Sequence, residues 1–299
     1  MRAAAILGPG TSAKDLKPFR QNSETSWMVG PPADPSEADA ILIFGGDGTV
    51  HRYLPQLVTL RIPVLVVPCG SGNDFARALG LRGHRDSLLA WQKFCSGGGN
   101  LRTIDLGVIA PFIADTQAAG EAPAPHKHYF CCVGGVGLDA EIGRRANRLP
   151  RWLLAHGGYV LSLPSALFGF APAAMKISSS DAGNPEGIVA RNIKPMMVAA
   201  FANTPTYGGG MKVAPRARLD DGKIDVCTIG HMNKFKLLCL FPSVFFGRHL
   251  GIPEVEYFQT ERLRVETEEP RDVYADGEYV CRTPIEVSVA RGALRVIRA

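Results

Sequence analysis

Two glycine-rich segments carry residue types suited to holding phosphate: Gly45-Gly46-Asp47-Gly48-Thr49 and Pro68-Cys69-Gly70-Ser71-Gly72-Asn73-Asp74-Phe75-Ala76-Arg77. Each follows a short apolar run, Ala40 to Phe44 or Ile62 to Val67, branched enough to be a buried strand, and each leads into a helical pattern. Strand end, glycine loop and helix N-terminus in succession offer free backbone N–H groups to an anion, and glycine lets that anion come close. In an open α/β sheet such ligands lie beyond the carboxyl ends of the strands. Thr49 and either Asn73 or Asp74 are the expected helix N-caps. Asp47 adds a carboxylate able to hold Mg²⁺ against phosphate oxygens. A lone Gly-Gly-Asp-Gly is equally well a tight turn; the pair of loops favours phosphate.

The elements around the loops alternate. Strand-like Ala3 to Leu7, Ala40 to Phe44 and Val64 to Val67 interleave with helices after Thr49 and after Asn73 and over Asp86 to Phe94, which predicts an α/β domain over residues 1–104. Gly97-Gly98-Gly99-Asn100 breaks the pattern. Downstream come Leu101 to Ile109, an Ala- and Pro-rich loop over Asp115 to Lys127, and β-like runs at Tyr129 to Val133, Met196 to Ala202, Ile224 to Ile229, Arg262 to Glu266, Val273 to Cys281 and Ile285 to Val289. These predict a mainly antiparallel β-rich domain over residues 105–299 with helices inserted between Arg144 and Ala171. Asp276-Gly277 reads as the two-residue turn of a hairpin.

The motifs and their order resemble the diacylglycerol kinase catalytic-domain family, which includes sphingosine and ceramide kinases. The resemblance rests on GGDGT and PxGSGNDFAR, on Gly135-Val136-Gly137-Leu138-Asp139-Ala140, and on Asn203 to Met211, Leu219 to Asp225 and Asp276-Gly277-Glu278. It implies a two-domain, NAD-kinase-like fold with an ATP-binding α/β domain, a β-rich lipid domain and the active site between them. It also implies that Gly45, Gly46, Asp47, Gly48, Thr49, Val50, His51 and Ser71 contact ATP, with Asn73 and Asp74 beside them. Asp47 is the candidate to organise the catalytic Mg²⁺, and Glu278 the candidate proton acceptor from the lipid hydroxyl. Asp139 matches a further acid of the family, and Arg218, Asp221 and Lys223 match a second, structural Mg²⁺ position, Asp221 through its carboxylate and the others through backbone carbonyls. The chain departs from the family at a reduced opening loop, Leu7-Gly8-Pro9-Gly10-Thr11, at His51 and Cys132 where Asn is usual, and at Arg216 where an acid is common.

The implied activity is transfer of the γ-phosphate of ATP to a lipid hydroxyl, diacylglycerol being the default acceptor. Two alternatives stand beside it: an NAD-kinase-like enzyme, which shares GGDGT but not the NDFAR and DGE segments, and a catalytically weak lipid- or nucleotide-binding protein of the same fold. A Rossmann reading of Gly135 to Ala140 lacks the acidic ribose contact expected about twenty residues on.

Composition agrees with an ordinary globular protein: 299 residues, 46% hydrophobic, 20% charged and a net charge of +5. That excess is too small to argue for nucleic acid but suits phosphates and lipid head groups. The seven cysteines contain no Cys-x-x-Cys, so neither a disulfide framework nor a zinc ribbon is indicated, and a reducing cytoplasm fits. His126-Lys127-His128 lies near Cys131-Cys132, but the spacing matches no standard zinc pattern. No signal peptide is expected, because the apolar run at Ala3 to Leu7 is too short. Trp152 to Met175 carries no charge, yet Gly157-Gly158, Pro164 and Pro172 interrupt it, which favours two short helices in the core or at a membrane surface. Arg144, Arg145, Arg148 and Arg151 leading into Trp152-Leu153-Leu154 suggest peripheral membrane association. The oligomeric state stays open, a homodimer included.

Overall fold

Small and branched apolar residues build the strands of the N-terminal part. β1 (Arg2–Leu7) leads through α1 (Ala13–Arg20) to β2 (Ser26–Val29), and β3 (Ala40–Gly45) through α2 (Asp47–Leu60) to β4 (Val64–Pro68). α3 (Asp74–Ala78), α4 (His84–Cys95) and β5 (Leu101–Pro111) follow. The computed structural model describes residues 1–21, 24–112, 127–149, 158–181 and 184–299. By its contacts the chain divides into two units, Met1–Leu106 with Arg291–Ala299, and Gly107–Ala290.

In the first unit β1, β2, β3 and β4 are parallel, in the order β2-β1-β3-β4. All residues of β3 and β4 are buried, as strands flanked by parallel neighbours require. The chain leaves β1 for β2 on one side and then returns to lay β3 on the other. The strand order therefore reverses between β1 and β3, and a crevice opens beyond their carboxyl ends. Leu7-Gly8 and Gly45-Gly46 sit at that point.

The second unit is mainly antiparallel. It contains β6 (His128–Phe130), β7 (Val133–Gly137), α5 (Leu138–Ala146), α6 (Gly158–Gly169), β8 (Ala173–Asp181), β9 (Asn184–Ala202), β10 (Ile224–Gly230), α7 (Lys234–Leu240), β11 (Val255–Thr260), β12 (Arg262–Thr267), β13 (Asp272–Ala275), β14 (Glu278–Arg282) and the first part of β15 (Ile285–Ile297), as far as Ala290. β13 pairs with β14 and β7, and β9 with β7, β8 and β10. Phe130, Met175, Met196, Phe201, Val226, Leu263 and Val287 are among its core residues.

Two expectations change. Tyr129 to Val133 is not one strand, because the backbone N–H groups of Cys131 and Cys132 are taken by the Asp276 carboxylate, at 2.8 Å each, and leave the ladder. Residues 291–299 belong to the first unit rather than the second: Val296 in β15 pairs in parallel with Val64, and Asn100 bonds the Arg298 backbone. The uncharged stretch does hold α6, but Arg151 and Trp152 to Leu154 lie outside the described residues. Among the described residues no helix is long and apolar enough to cross a membrane.

Candidate functional site

The first-unit group of candidate residues is built from two loops packed backbone to backbone. A Cβ on Gly70 would lie 2.5 Å from the Gly46 Cα, and one on Gly46 would lie 2.9 Å from the Gly70 Cα. Neither loop tolerates a side chain at the crossing. The Cys69 N–H donates to the Gly45 carbonyl at 3.0 Å, closing the contact.

α2 begins at Asp47 with Gly46 as its N-cap, so Thr49, Val50 and His51 lie in the first turn and Thr49 is not the cap. Gly46 has the extended backbone of a cap and no side chain to cap with, and its carbonyl accepts from the N–H groups of Thr49 and Val50 at 2.9 and 3.1 Å. Asn73 does occupy the N-cap of α3, but in the left-handed region, with φ 52° and no side-chain capping bond. Its amide side chain turns back to Gly70, accepting from the Gly70 N–H at 2.9 Å and donating to the Gly70 carbonyl at 2.6 Å.

The cap for α3 comes from the other loop. Asp47 accepts from the N–H of Asp74 and the N–H of Phe75, one through each carboxylate oxygen, at 3.0 Å. Asp74, buried at 2% exposure, binds the Arg77 guanidinium, which also donates to the Gly72 carbonyl. Ser71 is exposed at the tip of the loop. A solvent-open recess of about 720 Å³ has Asn73, Arg77, Arg82, Leu89 and Lys93 in its walls. Gly45 to His51, Ser71, Asn73 and Asp74 thus share one corner of the first unit.

Two acids organise the second-unit candidates. Asp139, in the first turn of α5, is 5% exposed and accepts from the Tyr207 hydroxyl. A Cβ on Gly135 would lie 2.3 Å from its Oδ2. The glycine of that decoy fingerprint therefore makes room for the chain's own carboxylate. Asp276, at φ 51°, and Gly277, at φ 85°, form the expected two-residue hairpin turn between β13 and β14. Asn147 donates to the Gly277 carbonyl at 2.7 Å. Glu278 follows as the first residue of β14 and is exposed, and among the described residues no hydrogen bond holds its carboxylate.

Asp221 forms a turn, accepting from the Lys223 N–H at 3.1 Å and from the Gln259 amide at 3.3 Å. Gln259 also donates to Asp225 at 3.1 Å, and the Tyr257 hydroxyl donates to the same carboxylate. Burial raises the Asp225 pKa above the ordinary carboxylate value, with hydrogen bonds from Tyr257 and Gln259 opposing. Arg218 reaches Asp220 at 3.4 Å rather than Asp221. Tyr257 and Gln259 were not legible as site residues: β11 places them opposite Cys227 and Asp225 of β10, a register no local pattern announces.

Comparison with known proteins places this architecture. Residues 25–109 match the diacylglycerol kinase catalytic domain, and residues 132–298 match the YegS C-terminal NAD kinase beta sandwich-like domain. The chain is 33% identical to a diacylglycerol kinase of Mycobacterium tuberculosis over 87% of this chain and 77% of that protein. It is 27% identical to a diacylglycerol kinase of Bacillus subtilis over 81% of this chain and 72% of that one. A diacylglycerol kinase crystal structure from Bacillus anthracis shares the fold with a TM-score of 0.67 at 16% identity, covering 100% of this chain and 97% of that chain. An Archaeoglobus fulgidus NAD kinase solved with ATP has a TM-score of 0.53 at 13% identity, covering 100% and 94%. The chain is therefore a kinase and belongs to the diacylglycerol kinase family of lipid kinases.

Proposed function

We propose that this enzyme transfers the γ-phosphate of ATP to a lipid hydroxyl, with diacylglycerol the first acceptor to test. The observation that carries the reading is the contact between the two glycine loops at Gly46 and Gly70, beside the reversal point of a parallel sheet. There α2 begins at a glycine N-cap with no side-chain capping bond of its own, and a helix N-terminus suits an anion. Ser71 of the second loop is exposed and offers a hydroxyl donor, and Arg82 and Lys93 line the recess that Asn73 of the same loop borders.

Phosphoryl transfer asks for positioning, charge neutralisation and removal of one proton. The loops position the phosphates. Asp47 supplies the hard carboxylate oxygens that a hydrated Mg²⁺ takes, held in place by the N–H groups of Asp74 and Phe75. When bound there, Mg²⁺ would neutralise charge on the phosphate oxygens. Asp221, Arg218 and Lys223 supply the all-oxygen donor set that a second, structural Mg²⁺ prefers. Glu278 is assigned to accept the proton of the lipid hydroxyl, for which its exposed carboxylate, unbonded among the described residues, is available.

We further propose that the second unit docks on anionic membranes in a peripheral manner. Phe168 of α6 and Phe235 of α7 are exposed and their rings meet edge to face at 5.6 Å, with Leu161 and Phe246 also exposed. Lys234 of α7 supplies a cation, with Arg145 in α5 and Arg148 just beyond its end. Arg144 and Arg145 are both bound by Glu141, so Arg148 offers the charge least compensated locally. The test of the central reading is incubation with γ-labelled ATP and Mg²⁺ against a total lipid extract. A labelled lipid supports it; nucleotide-dependent thermal stabilisation with no labelled lipid would favour a binding protein of the same fold.

A further inference from the structure

We infer that Cys131, Cys132 and Asp276 form a binding site for a thiophilic divalent cation, Zn²⁺ by preference, at the base of the hairpin that carries Glu278. The three side chains bring their ligand atoms within 4.8 Å of one another although Asp276 lies 145 residues from Cys131. The thiol sulfurs are 3.9 Å apart, and Cys131 Sγ is 3.4 Å from Asp276 Oδ2. Tetrahedral Zn²⁺ with Zn–S near 2.3 Å and Zn–O near 2.1 Å sets its ligands about 3.8 Å (S to S) and about 3.6 Å (S to O) apart. The Cys131–Cys132 and Cys131–Asp276 separations already lie within a few tenths of an ångström of those values.

The surroundings are also those of a metal site. The Asp276 carboxylate is aimed by two backbone N–H donors, those of Cys131 and Cys132 at 2.8 Å, which fix the ligand as outer-shell partners do. Both thiols are buried, at 0% and 2% exposure, while Gly277 beside Asp276 is exposed and marks the side of entry. Two thiolates and one carboxylate select a soft or borderline cation over Mg²⁺. On binding, two S–H bonds break, two Zn–S bonds form, and two protons pass to solvent, with no change of oxidation state. The fourth position is left for water. Because Asp276 stands two residues before Glu278, occupancy would stiffen the turn and lower turnover; that last consequence rests on the proposed kinase reading, whereas binding does not.

The test uses the full chain with its exposed thiols removed, Cys95→Ser with Cys239→Ser, so that only buried and half-buried thiols remain. Titration with Zn²⁺, and with Co²⁺ as a probe of sulfur-to-metal charge-transfer absorption, should show one ion per chain. Cys131→Ser or Cys132→Ser should weaken binding by about a hundredfold or more, and Asp276→Asn by about tenfold to a hundredfold, in line with lost ligands. Should these variants fail to fold, mass spectrometry of the chain with Cys131, Cys132 and Asp276 intact serves instead: Zn²⁺ should protect Cys131 and Cys132 from alkylation together. Absent protection, absent thiolate bands, or full affinity in both thiol variants would overturn the assignment; the last result would move the ion elsewhere, such as Cys69 and His84, 3.5 Å apart. Zn²⁺ inhibition lost in Cys132→Ser supports the coupling. Tight binding to the cluster without inhibition, or in a protein without transferase activity, refutes only the coupling.

Discussion

Asp47 of the first glycine loop holds the backbone N–H of Phe75, 28 residues away, at 3.0 Å. With its second oxygen on the Asp74 N–H, it supplies the cap that α3 lacks from Asn73. One carboxylate thereby ties the two loops into a unit, so its replacement disturbs structure as well as any metal it would hold.

Asp47→Asn keeps one acceptor but turns an amide N–H₂ toward a backbone donor. The buried N–H left without a partner should cost about 1–3 kcal/mol of unfolding free energy. Turnover should fall on the order of a hundredfold or more through loss of charge at the phosphates. Urea unfolding together with steady-state kinetics checks both. A variant equal to the parent in both would remove Asp47 from either role.

Gly70→Ala presses a methyl group against the Gly46 Cα, backbone against backbone with no flexible side chain to yield. Overpacking of this kind should cost about 1–3 kcal/mol and weaken nucleotide binding by separating the loops. Gly83→Ala, where a Cβ meets nothing within 4 Å, is the comparison that should leave both unchanged. Thermal shift with and without ATP separates the two variants.

The loops were legible because their strands are continuous branched runs, buried over their whole length in β3 and β4. The caps were not. Thr49 looked like a cap by residue type, but the cap geometry falls on Gly46, and the acceptor for α3 arrives from a distant acid. Strand β8 was hidden by Ser178, Ser179 and Ser180, which are buried. Ser180 meets the Thr260 hydroxyl, and Ser179 accepts from Arg191. Paired polar groups bury without an apolar pattern. The return of residues 291–299 to the first unit rests on pairing at Val296 and Val64, which spacing along the chain does not express. In the second unit Glu278 was readable from its motif, whereas the grip of Asp276 on Cys131 and Cys132 needed the fold.

His249 gives a pH-dependent contribution of predictable sign. It is buried, its Nε2 lies 3.1 Å from the Val213 carbonyl, and burial lowers its pKa below the ordinary 6.5, the Val213 hydrogen bond opposing. The folded state thus binds fewer protons than the unfolded chain just below that value. This stability is fully present above the unfolded pKa and is lost as pH falls toward the folded one. Between about pH 7 and 5 the parent should lose stability that His249→Gln does not. Equal pH slopes for both proteins would show that His249 stays unprotonated in both states or charges freely in the fold.

Phe235→Ser should weaken binding to anionic vesicles about tenfold, since a partly inserted ring contributes on the order of 1.4 kcal/mol, below the value of full burial. Activity on a detergent-dispersed short-chain lipid should persist. Vesicle sedimentation against that assay decides the matter, and equal losses in both would mark Phe235 as a packing residue of α7.

The most direct measurement compares the parent chain with Glu278→Gln for transfer of label from γ-labelled ATP to diacylglycerol in mixed micelles, with ATP affinity measured in parallel. The parent should label the lipid, and Glu278→Gln should lower the transfer rate by roughly 10² to 10⁴ with ATP affinity nearly unchanged, as loss of a general base requires. Unaltered transfer by Glu278→Gln, or a parent protein that binds ATP and labels no lipid hydroxyl, would contradict the assignment.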